Sequence, residues 1–350
     1  MTINQRKAGK IVGIIIAVLL LVTIIGSTFF AYRAFFCPFQ KKDISLHTDI
    51  YIDRDDNIDS VRVQLTDRCL PLQMWGFNFL AKHMKYENRI CTGYYQITDS
   101  MTTIDVVRLL RSGNQTPVNI TIPSSRTLHA LVGKTCKNIL LDSAELLKHL
   151  EDSAFCEKWG YNPATITCLI IPNTYEVYWD MTIEDFMHRM KRENLQFWNE
   201  QRMNKAKNHQ LSPNEVIILA SIVDQETNDN QEKPTIAGMY LNRLRIGMKL
   251  QADPTVKFAL KDFKLKRILY KHLEHDSPYN TYLYKGLPPG PIAIPSKSSI
   301  EAVLNAEKNE YLYMCAKEDF SGSHNFAKTL TEHMRNARKY ASALNERGIK

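Results

Sequence analysis

The longest apolar stretch of the chain lies near its N-terminus. From 11 to 31 no residue carries a charge, and most are Ile, Val, Leu, Ala or Phe. At ~1.5 Å per residue a helix of this length extends roughly 30 Å, which matches the hydrocarbon core of a bilayer. The run is longer than the apolar region of a signal peptide and has only a weak small-residue cleavage motif within it. The pattern therefore favours an uncleaved transmembrane helix over 11–33, after a cytoplasmic tail over 1–10.

Flanking charges do not decide the direction of this span by themselves. Basic residues lie on both sides of it: Arg6, Lys7 and Lys10 before, and Arg33, Lys41 and Lys42 after. A short basic tail before a single span usually stays in the cytoplasm, which places the residues beyond about 36 on the other side of the membrane.

Beyond the span, hydrophobic periodicity predicts a small α+β unit followed by a larger α+β domain. The predicted elements alternate between strand and helix, in the order 43–63, 72–85, 94–97, 103–111 and 118–122. Val61, Val63 and Leu65 alternate with polar residues, as expected for a strand. We place the small unit at 40–122, connecting helices at 123–164 and the larger domain at 165–350.

A capping box marks the start of the helix with the strongest candidate for chemistry. Ser212–Glu215 has the S-x-x-E pattern with proline at the first helical position. Almost every residue over 216–223 is apolar, and Glu226 follows at the end of the apolar stripe. Desolvation beside hydrocarbon raises a carboxyl pKa, which makes a usable general acid near neutral pH. A solvated helix end fits the same position. Asp224 should face the opposite side, so the two acids do not form a pair.

Two later segments combine Gly, Pro, Tyr and Asn. Ser277–Ile292 contains Tyr279, Asn280 and Tyr282 before GLPPGPI, and Tyr311–Phe326 reads as strand, turn and strand. Aromatic faces cover the C–H surfaces of sugar rings, and amides bind hydroxyl and acetamido groups. The two segments therefore suit a groove for an extended saccharide, although GLPPGP also fits a rigid surface loop.

Composition and charge narrow the range of partners. The net charge of +8 suits an anionic membrane surface or cell-wall polymer. Lysine and arginine are spread along the chain without a zinc-finger, RNP or P-loop pattern, so we expect no nucleic acid partner. The seven cysteines show no CxxC or His–Cys ligand spacing, so we expect no metal site. Outside the cytoplasm, Cys69–Cys91 or Cys156–Cys168 could form a disulfide, and buried free thiols are the alternative.

Several of these segments together resemble the YceG-like endolytic murein transglycosylases (MltG). The shared segments, in chain order, are A-S-I-V-x-x-E-T (220–227), N-R-L-R-I-G-M-x-L-Q-x-D-P-T-V (242–256), Y-N-T-Y (279–282), G-L-P-P-G-P-I (286–292), and Y-L-Y (311–313) with G-x-H-x-F (322–326). A weaker similarity extends upstream, where 40–122 is similar to the LysM-like subdomain of that family.

The resemblance implies a lyase in the bacterial inner membrane with a periplasmic catalytic domain. Such an enzyme cleaves the β-1,4 bond between N-acetylmuramic acid and N-acetylglucosamine within a glycan strand and leaves a 1,6-anhydromuramic end. Family members are thought to terminate nascent strands, which makes peptidoglycan synthases candidate partners. The catalytic glutamate corresponds to Glu226, and no metal or cofactor is required because the C6 hydroxyl of the sugar replaces water as the nucleophile.

Supporting roles for other residues follow from the same resemblance. Asn242, Gln251 and Asp253 are expected to bind saccharide hydroxyl or acetamido groups, and Arg243 a lactyl or peptide carboxylate. Tyr279, Asn280 and Tyr282 are expected to line the groove, and His324 to orient Glu226 or the substrate. Two simpler readings stay open: Asp253 as the N-cap of a helix with Pro254 at its first position, and His324 as a structural residue.

Two other functions are compatible with the sequence. One is an anchored glycan-binding scaffold without activity. The other is a muramidase that hydrolyses the bond with water, which needs a second acid near Glu226.

Overall fold

A computed structural model of the chain describes residues 3–40, 47–265 and 267–347. The first residues of the predicted strand, 43–46, lie outside this range, as do 1–2 of the predicted tail and the flanking Lys41 and Lys42. The chain divides into unit 1, Met1–Val118 with Glu176–Met181, and unit 2, Asn119–Tyr175 with Thr182–Lys350. Helices and strands occur in both units, which confirms the α+β class; the predicted division at 40–122, 123–164 and 165–350 stays a prediction.

One long apolar helix begins the chain, as the sequence predicts. Helix α1 covers Ile3–Phe35. Its segment Lys10–Phe35 has a mean hydropathy of 2.8 in its most apolar window, and none of that window is buried in the protein. Among the described residues it is the one helix long and apolar enough to cross a membrane.

Unit 1 is built around a two-stranded antiparallel sheet. Strand β1 (His47–Ile52) pairs with β2 (Gly93–Thr98), from His47 opposite Thr98 to Ile52 opposite Gly93. The remaining elements of this unit are α2 (Ile58–Thr66), α3 (Pro71–His83), a 3₁₀ turn (Tyr86–Asn88), β2 (Gly93–Thr98) and α4 (Thr103–Ser112). The core lies between one face of the sheet and these helices.

The predicted strand over 43–63 is only half right. Its second half belongs to α2, because the Asn57 side chain accepts hydrogen bonds from the backbone N–H groups of Asp59 and Ser60 and so starts a helix there. Val61 and Leu65 are fully buried, whereas Val63 between them is 73% exposed. Burial thus follows the i, i+4 spacing of a helix. In a segment of only five residues, apolar positions that alternate as in a strand also include a pair with this helical spacing.

Unit 2 is mostly helical. Its helices are α5 (Leu128–Thr135), α6 (Ser143–Glu151), α7 (Ser153–Lys158), α8 (Ile183–Phe197), α9 (Glu200–Asn208), α10 (Pro213–Glu226), α11 (Lys233–Arg245), α12 (Asp253–Ala259), α13 (Tyr270–Leu273), α14 (Lys297–Leu304) and α15 (Leu330–Glu346), with 3₁₀ turns at Cys136–Asn138 and Ile166–Leu169. Strands β5 (Tyr313–Ala316) and β6 (His324–Ala327) form an antiparallel pair. Strands β3 (Val118–Ile122) and β4 (Asn173–Val177) form another two-stranded sheet where the chain changes unit.

Helix α10 forms the centre of the unit 2 core. Every residue from Val216 to Val223 is buried. The helix packs against α11, α12 and α14, so it has neighbours on several sides. A helix that is apolar on nearly every face is stable only when it is enclosed in this way.

No disulfide bond joins the cysteines to one another. All seven lie among the described residues, and Cys69, Cys136, Cys156 and Cys168 are buried. The structure therefore contains neither the Cys69–Cys91 nor the Cys156–Cys168 bridge.

Candidate active site

Glu226 is the last residue of α10. The predicted capping box is present at the other end, where the Ser212 hydroxyl accepts from Glu215 N–H and the Glu215 carboxylate accepts from Ser212 N–H. The buried segment between the two ends fixes the helix in the core, so the partly buried Glu226 carboxyl lies on a rigid element. Its Oε1 atom accepts a hydrogen bond of 2.6 Å from the Tyr240 hydroxyl.

The surroundings of Glu226 raise its pKa to about 7. The main cause is desolvation, and the negative charge of Asp253 acts in the same direction. The hydrogen bond from Tyr240 and the charges of His324 and Lys257 lower the pKa and offset part of this effect. A carboxyl with this pKa is present in both protonation states near neutral pH, as a group that donates and later accepts a proton requires.

Asp253 and Tyr282 form a second polar pair near Glu226. The Tyr282 hydroxyl donates a 2.6 Å hydrogen bond to Asp253 Oδ1. Burial, this hydrogen bond and the charges of Asp253 and Glu226 together raise the pKa of Tyr282. The N-cap of α12 is Ala252, which makes no side-chain capping bond, and Asp253 is the first helical residue. The reading of Asp253 as an N-cap with Pro254 at the first position is therefore wrong.

His324 is held by a buried carboxylate. The backbone N–H of His324 donates to Glu232 Oε1 at 2.6 Å, and its Nδ1 lies 2.9 Å from Oε2. Glu232 is only 9% exposed. Because the carboxylate only accepts, Nδ1 carries the proton in this bond. His324 thus has a fixed ring orientation while its charge still acts on Glu226.

Asn242 and Asn280 are buried, and their amide groups bond to the protein. Asn242 Nδ2 has acceptors on Asn309 and Tyr311 at 3.0–3.1 Å. Asn280 is fully buried, and its Nδ2 donates to the carbonyls of Leu273 and His275. Both side chains hold loops of unit 2 in place; their predicted contact with a saccharide stays a prediction.

Arg243 is likewise bonded within unit 2. It is 7% exposed, and its Nε donates to the Leu312 carbonyl at 2.6 Å. Its Nη1 donates to the carbonyls of Lys249 and Leu250. Burial lowers the pKa of its guanidinium, which lies 5.5 Å from the centre of the Tyr313 ring. This geometry favours a structural role for Arg243 over the predicted one with a ligand carboxylate.

Gln251 and Tyr279 have looser surroundings. Gln251 is exposed and has a left-handed backbone with φ of 49°, and its N–H donates to the Thr281 carbonyl. The partly buried Tyr279 ring lies 4.7 Å from the Phe258 ring, measured between centroids.

The GLPPGPI segment is packed rather than free on the surface. Residues 290–295 are buried, and the Ile292 N–H donates to the hydroxyl of Ser221 on α10 at 3.0 Å. A Cβ atom on Gly290 would lie 2.0 Å from the Ala164 carbonyl oxygen, so only glycine fits there. A small cleft beside the end of α10 is lined by Arg126, Gln225, Pro254, Lys257, Phe263 and Ile292. The loop thus contributes Ile292 to this cleft.

Asp224 is a structural anchor rather than a solvated acid. Its side chain is 12% exposed and its Oδ1 lies 3.2 Å from Nζ of Lys233, which is 6% exposed. The same oxygen accepts hydrogen bonds from Ser296, at 2.6 Å, and from Ser299. Asp224 therefore fastens α10 to the start of α11 and of α14.

Comparisons with known proteins identify the family. The model of the YceG-like family matches residues 50–339. The chain belongs to the YceG-like family. It is 29% identical over 340 residues to the endolytic murein transglycosylase of Bacillus subtilis strain 168, covering 93% of each protein. It is 27% identical over 330 residues to the endolytic murein transglycosylase of Streptococcus pneumoniae strain R6, covering 85% of this chain and 59% of that protein.

A solved structure supports the same assignment. The crystal structure of a yceG-like protein from Listeria monocytogenes has a TM-score of 0.53 and 28% sequence identity, and the match covers 83% of this chain and 98% of the other. The resemblance inferred from the sequence segments is therefore confirmed.

Two residues around the site of this YceG-like protein were not foreseen from its sequence. Tyr240 lies on the buried side of α11 and has the spacing of an ordinary core residue. Glu232 is the N-cap residue of α11, where an acid is common, and its partner His324 is far away along the chain. Within the described ranges, no group of three or more His, Cys, Asp or Glu side chains converges as a metal site.

Proposed function

We propose that this YceG-like protein is an endolytic peptidoglycan lyase, a murein transglycosylase that α1 anchors in the bacterial inner membrane. The observation that carries the proposal is the Glu226 carboxyl, with a pKa raised to about 7 and a hydrogen bond from Tyr240. The activity named for the Bacillus and Streptococcus relatives supports it.

A single carboxyl can carry both proton transfers of the reaction. Protonated Glu226 donates its proton to the glycosidic oxygen as the bond from that oxygen to C1 of N-acetylmuramic acid breaks. The C6 hydroxyl of the same sugar then forms a new bond to C1 and gives its proton to the Glu226 carboxylate. The products are a free 4-hydroxyl on N-acetylglucosamine and a 1,6-anhydromuramic end. Glu226 ends protonated as it began, and no water is consumed.

The groups around Glu226 suit substrate binding in different ways. Arg126 and Lys257 line the small cleft at the end of α10, and we assign them, rather than Arg243, to carboxylates of the lactyl group or stem peptide. Tyr282 and Tyr279 offer aromatic surface for sugar rings. Gln251 and Asp253 are exposed and accessible to polar sugar groups, whereas Asn242 and Asn280 hold loops of unit 2 in place.

The anchor determines where the reaction takes place. With the basic tail in the cytoplasm, both units lie on the periplasmic side, and α1 keeps the enzyme near newly made glycan. Cleavage there would end strand elongation, and enzymes that polymerise glycan are the partners expected beside it.

Hydrolysis is the second candidate reaction. Asp253 is a second carboxylate near enough for its charge to raise the pKa of Glu226, and it could activate a water molecule. Its hydrogen bond from Tyr282 is also compatible with a role in substrate binding.

Digestion of isolated sacculi by the full-length protein in detergent tests the proposed function. The lyase releases shortened strands whose new ends are anhydromuramic acid, one water lighter than reducing ends by mass spectrometry. A glycan-binding scaffold sediments with the sacculi but leaves the strand length unchanged, and this result would contradict the proposal.

Replacing Tyr240 by phenylalanine should move the pH profile of cleavage. The rate should fall as pH rises through about 7, because Glu226 loses the proton that it must donate. The Tyr240 hydroxyl stabilises the charged form, so Tyr240→Phe should raise the Glu226 pKa and shift this limb about one unit upward. The control is Tyr284→Phe, which removes a hydroxyl bonded to Asp276 on the surface. A downward shift in Tyr240→Phe would contradict the assignment.

Replacing Glu232 by glutamine should weaken catalysis through His324. The amide has one acceptor oxygen in place of two, so it cannot accept from both the backbone N–H and Nδ1 of His324. We expect kcat/KM to fall about tenfold, equal to the loss of about 1.4 kcal/mol. In a His324→Ala background, which lacks the ring, adding Glu232→Gln should change kcat/KM very little. Additive losses in the double variant would show that Glu232 acts independently of His324.

A further inference from the structure

Two aromatic side chains of α3 remain half exposed although they contact α1. Trp75 is 46% exposed and Phe79 is 40% exposed. Trp75 and Phe79 are four residues apart and therefore lie on the same face of α3. The opposite face of the helix, with Phe77 and Ala81 fully buried, forms part of the unit 1 core. The fold of unit 1 therefore does not require large aromatic rings on the outer face.

These rings pack on the end of the apolar span. The Trp75 ring lies 5.0 Å from the Phe30 ring and 6.0 Å from the Phe35 ring, measured between centroids. The Phe79 ring lies 5.6 Å from that of Phe35. Each ring thus contacts α1 and remains partly exposed beside it.

The backbones of the two helices are also close. A Cβ atom on Gly76 would lie 2.5 Å from the Ala34 carbonyl oxygen, so a larger residue there would force α3 away from α1. The Gln73 side chain donates to the Arg33 carbonyl at 3.2 Å. Together with the ring contacts, these features attach α3 to α1 at a defined level.

That level coincides with a membrane interface if α1 spans the bilayer. A hydrocarbon core of about 30 Å needs roughly 20 residues, which extend from Ile11 to about Phe30. Phe35 lies five residues, or about 7.5 Å, farther along the helix and so among the headgroups. Trp75 contacts both rings and therefore lies at the boundary, where tryptophan and tyrosine are enriched in membrane proteins.

Other exposed aromatic side chains continue the same belt. These are Phe29 and Tyr32 on the last turns of α1 and Phe36 directly after it, each more than half exposed. At the end of α3, Lys82 and His83 are exposed beside Phe79 and suit anionic headgroups. The exposed face of α3 is therefore continuous with the surface of the span itself.

We infer that α3 is an interfacial helix, whose Trp75 and Phe79 insert among the lipid headgroups of the outer leaflet. This contact fixes unit 1 against the bilayer, with its sheet and remaining helices above the surface. The inference depends on the proposed anchoring by α1 but not on the proposed reaction.

Quenching of tryptophan fluorescence by brominated lipids tests the inference. The full-length protein is reconstituted in phosphatidylcholine–phosphatidylglycerol vesicles with bromine near the headgroup or near the chain terminus. The chain has four tryptophans. Shallow bromine should quench part of the wild-type emission, and Trp75→Phe should lose at least half of that part. The control is Trp179→Phe, because Trp179 packs against Tyr51 at the sheet instead of α1.

The outcomes separate this inference from the anchor. Unchanged shallow quenching in Trp75→Phe, with the protein still floating with the vesicles, would overturn the interfacial helix alone. Protection of Trp75 that increases with the ratio of protein to lipid would indicate that a second copy covers the belt, and would also overturn it. Wild-type protein that fails to float would contradict the anchor itself and the inference with it.

Discussion

Glu226→Gln is expected to reduce the cleavage of glycan strands by about a thousandfold, within the range of general acid–base catalysis. The amide has nearly the same shape as the carboxyl but cannot donate a proton to the leaving oxygen or take one from the C6 hydroxyl. The Tyr240 hydroxyl can still donate to the amide oxygen, so the site should keep its geometry. We expect binding to sacculi to persist and the free energy of unfolding to change by less than about 0.5 kcal/mol.

The measurement is the rate at which new chain ends appear in sacculi. Glu310→Gln is the matched control, since the same substitution there alters a surface carboxyl that is 77% exposed and paired with Lys328. The proposal would be contradicted if Glu226→Gln retained more than about a tenth of the wild-type rate.

Asp224→Ala is expected to destabilise the protein by about 3 kcal/mol, because removal of one partner leaves the other buried charge without compensation. Among the described residues, Lys233 would then have as side-chain partners the hydroxyls of Ser296 and Ser298, at 3.4 and 3.3 Å. The hydrogen bonds from Ser296 and Ser299 to Asp224, which connect α10 to the start of α14, would also be lost.

Urea unfolding of the full-length protein, followed by circular dichroism, measures this effect. The double variant Asp224→Ala/Lys233→Met removes both charges and should recover much of the lost stability. The fraction of Asp224→Ala that remains folded should cleave glycan at close to the wild-type rate, which distinguishes an anchor from an acid that takes part in the chemistry. A change below about 1 kcal/mol would show that the buried pair does not hold the helices together.

Local signals were sufficient to predict much of helix α10. The capping box at Ser212–Glu215 and the apolar run after it predict where α10 begins and that it is buried. They also place Glu226 beside hydrocarbon, which agrees with the raised pKa. Such features depend on residues within a few turns of one another, and helical periodicity contains that information.

The sequence does not show which groups satisfy a side chain when those groups lie in other elements. Asp224 follows the buried run of α10, and only the folded chain brings Ser296 and Lys233 to it. Arg243 has the residue type expected for a ligand carboxylate, but carbonyl groups of a folded loop and strand satisfy it. At Val61–Leu65, the alternation of apolar and polar residues is too short to distinguish a strand from a helix. The cap formed by the Asn57 side chain decides for the helix.

The most direct test of the central claim, that Glu226 acts as the single acid and base of a lytic cleavage, is to digest sacculi with the full-length protein in heavy-oxygen water. Mass spectrometry then reports the new ends. We predict anhydromuramic ends that contain no heavy oxygen and that disappear with Glu226→Gln. Reducing ends that carry heavy oxygen would contradict the claim, because water would then be the nucleophile and a second acid such as Asp253 would be required.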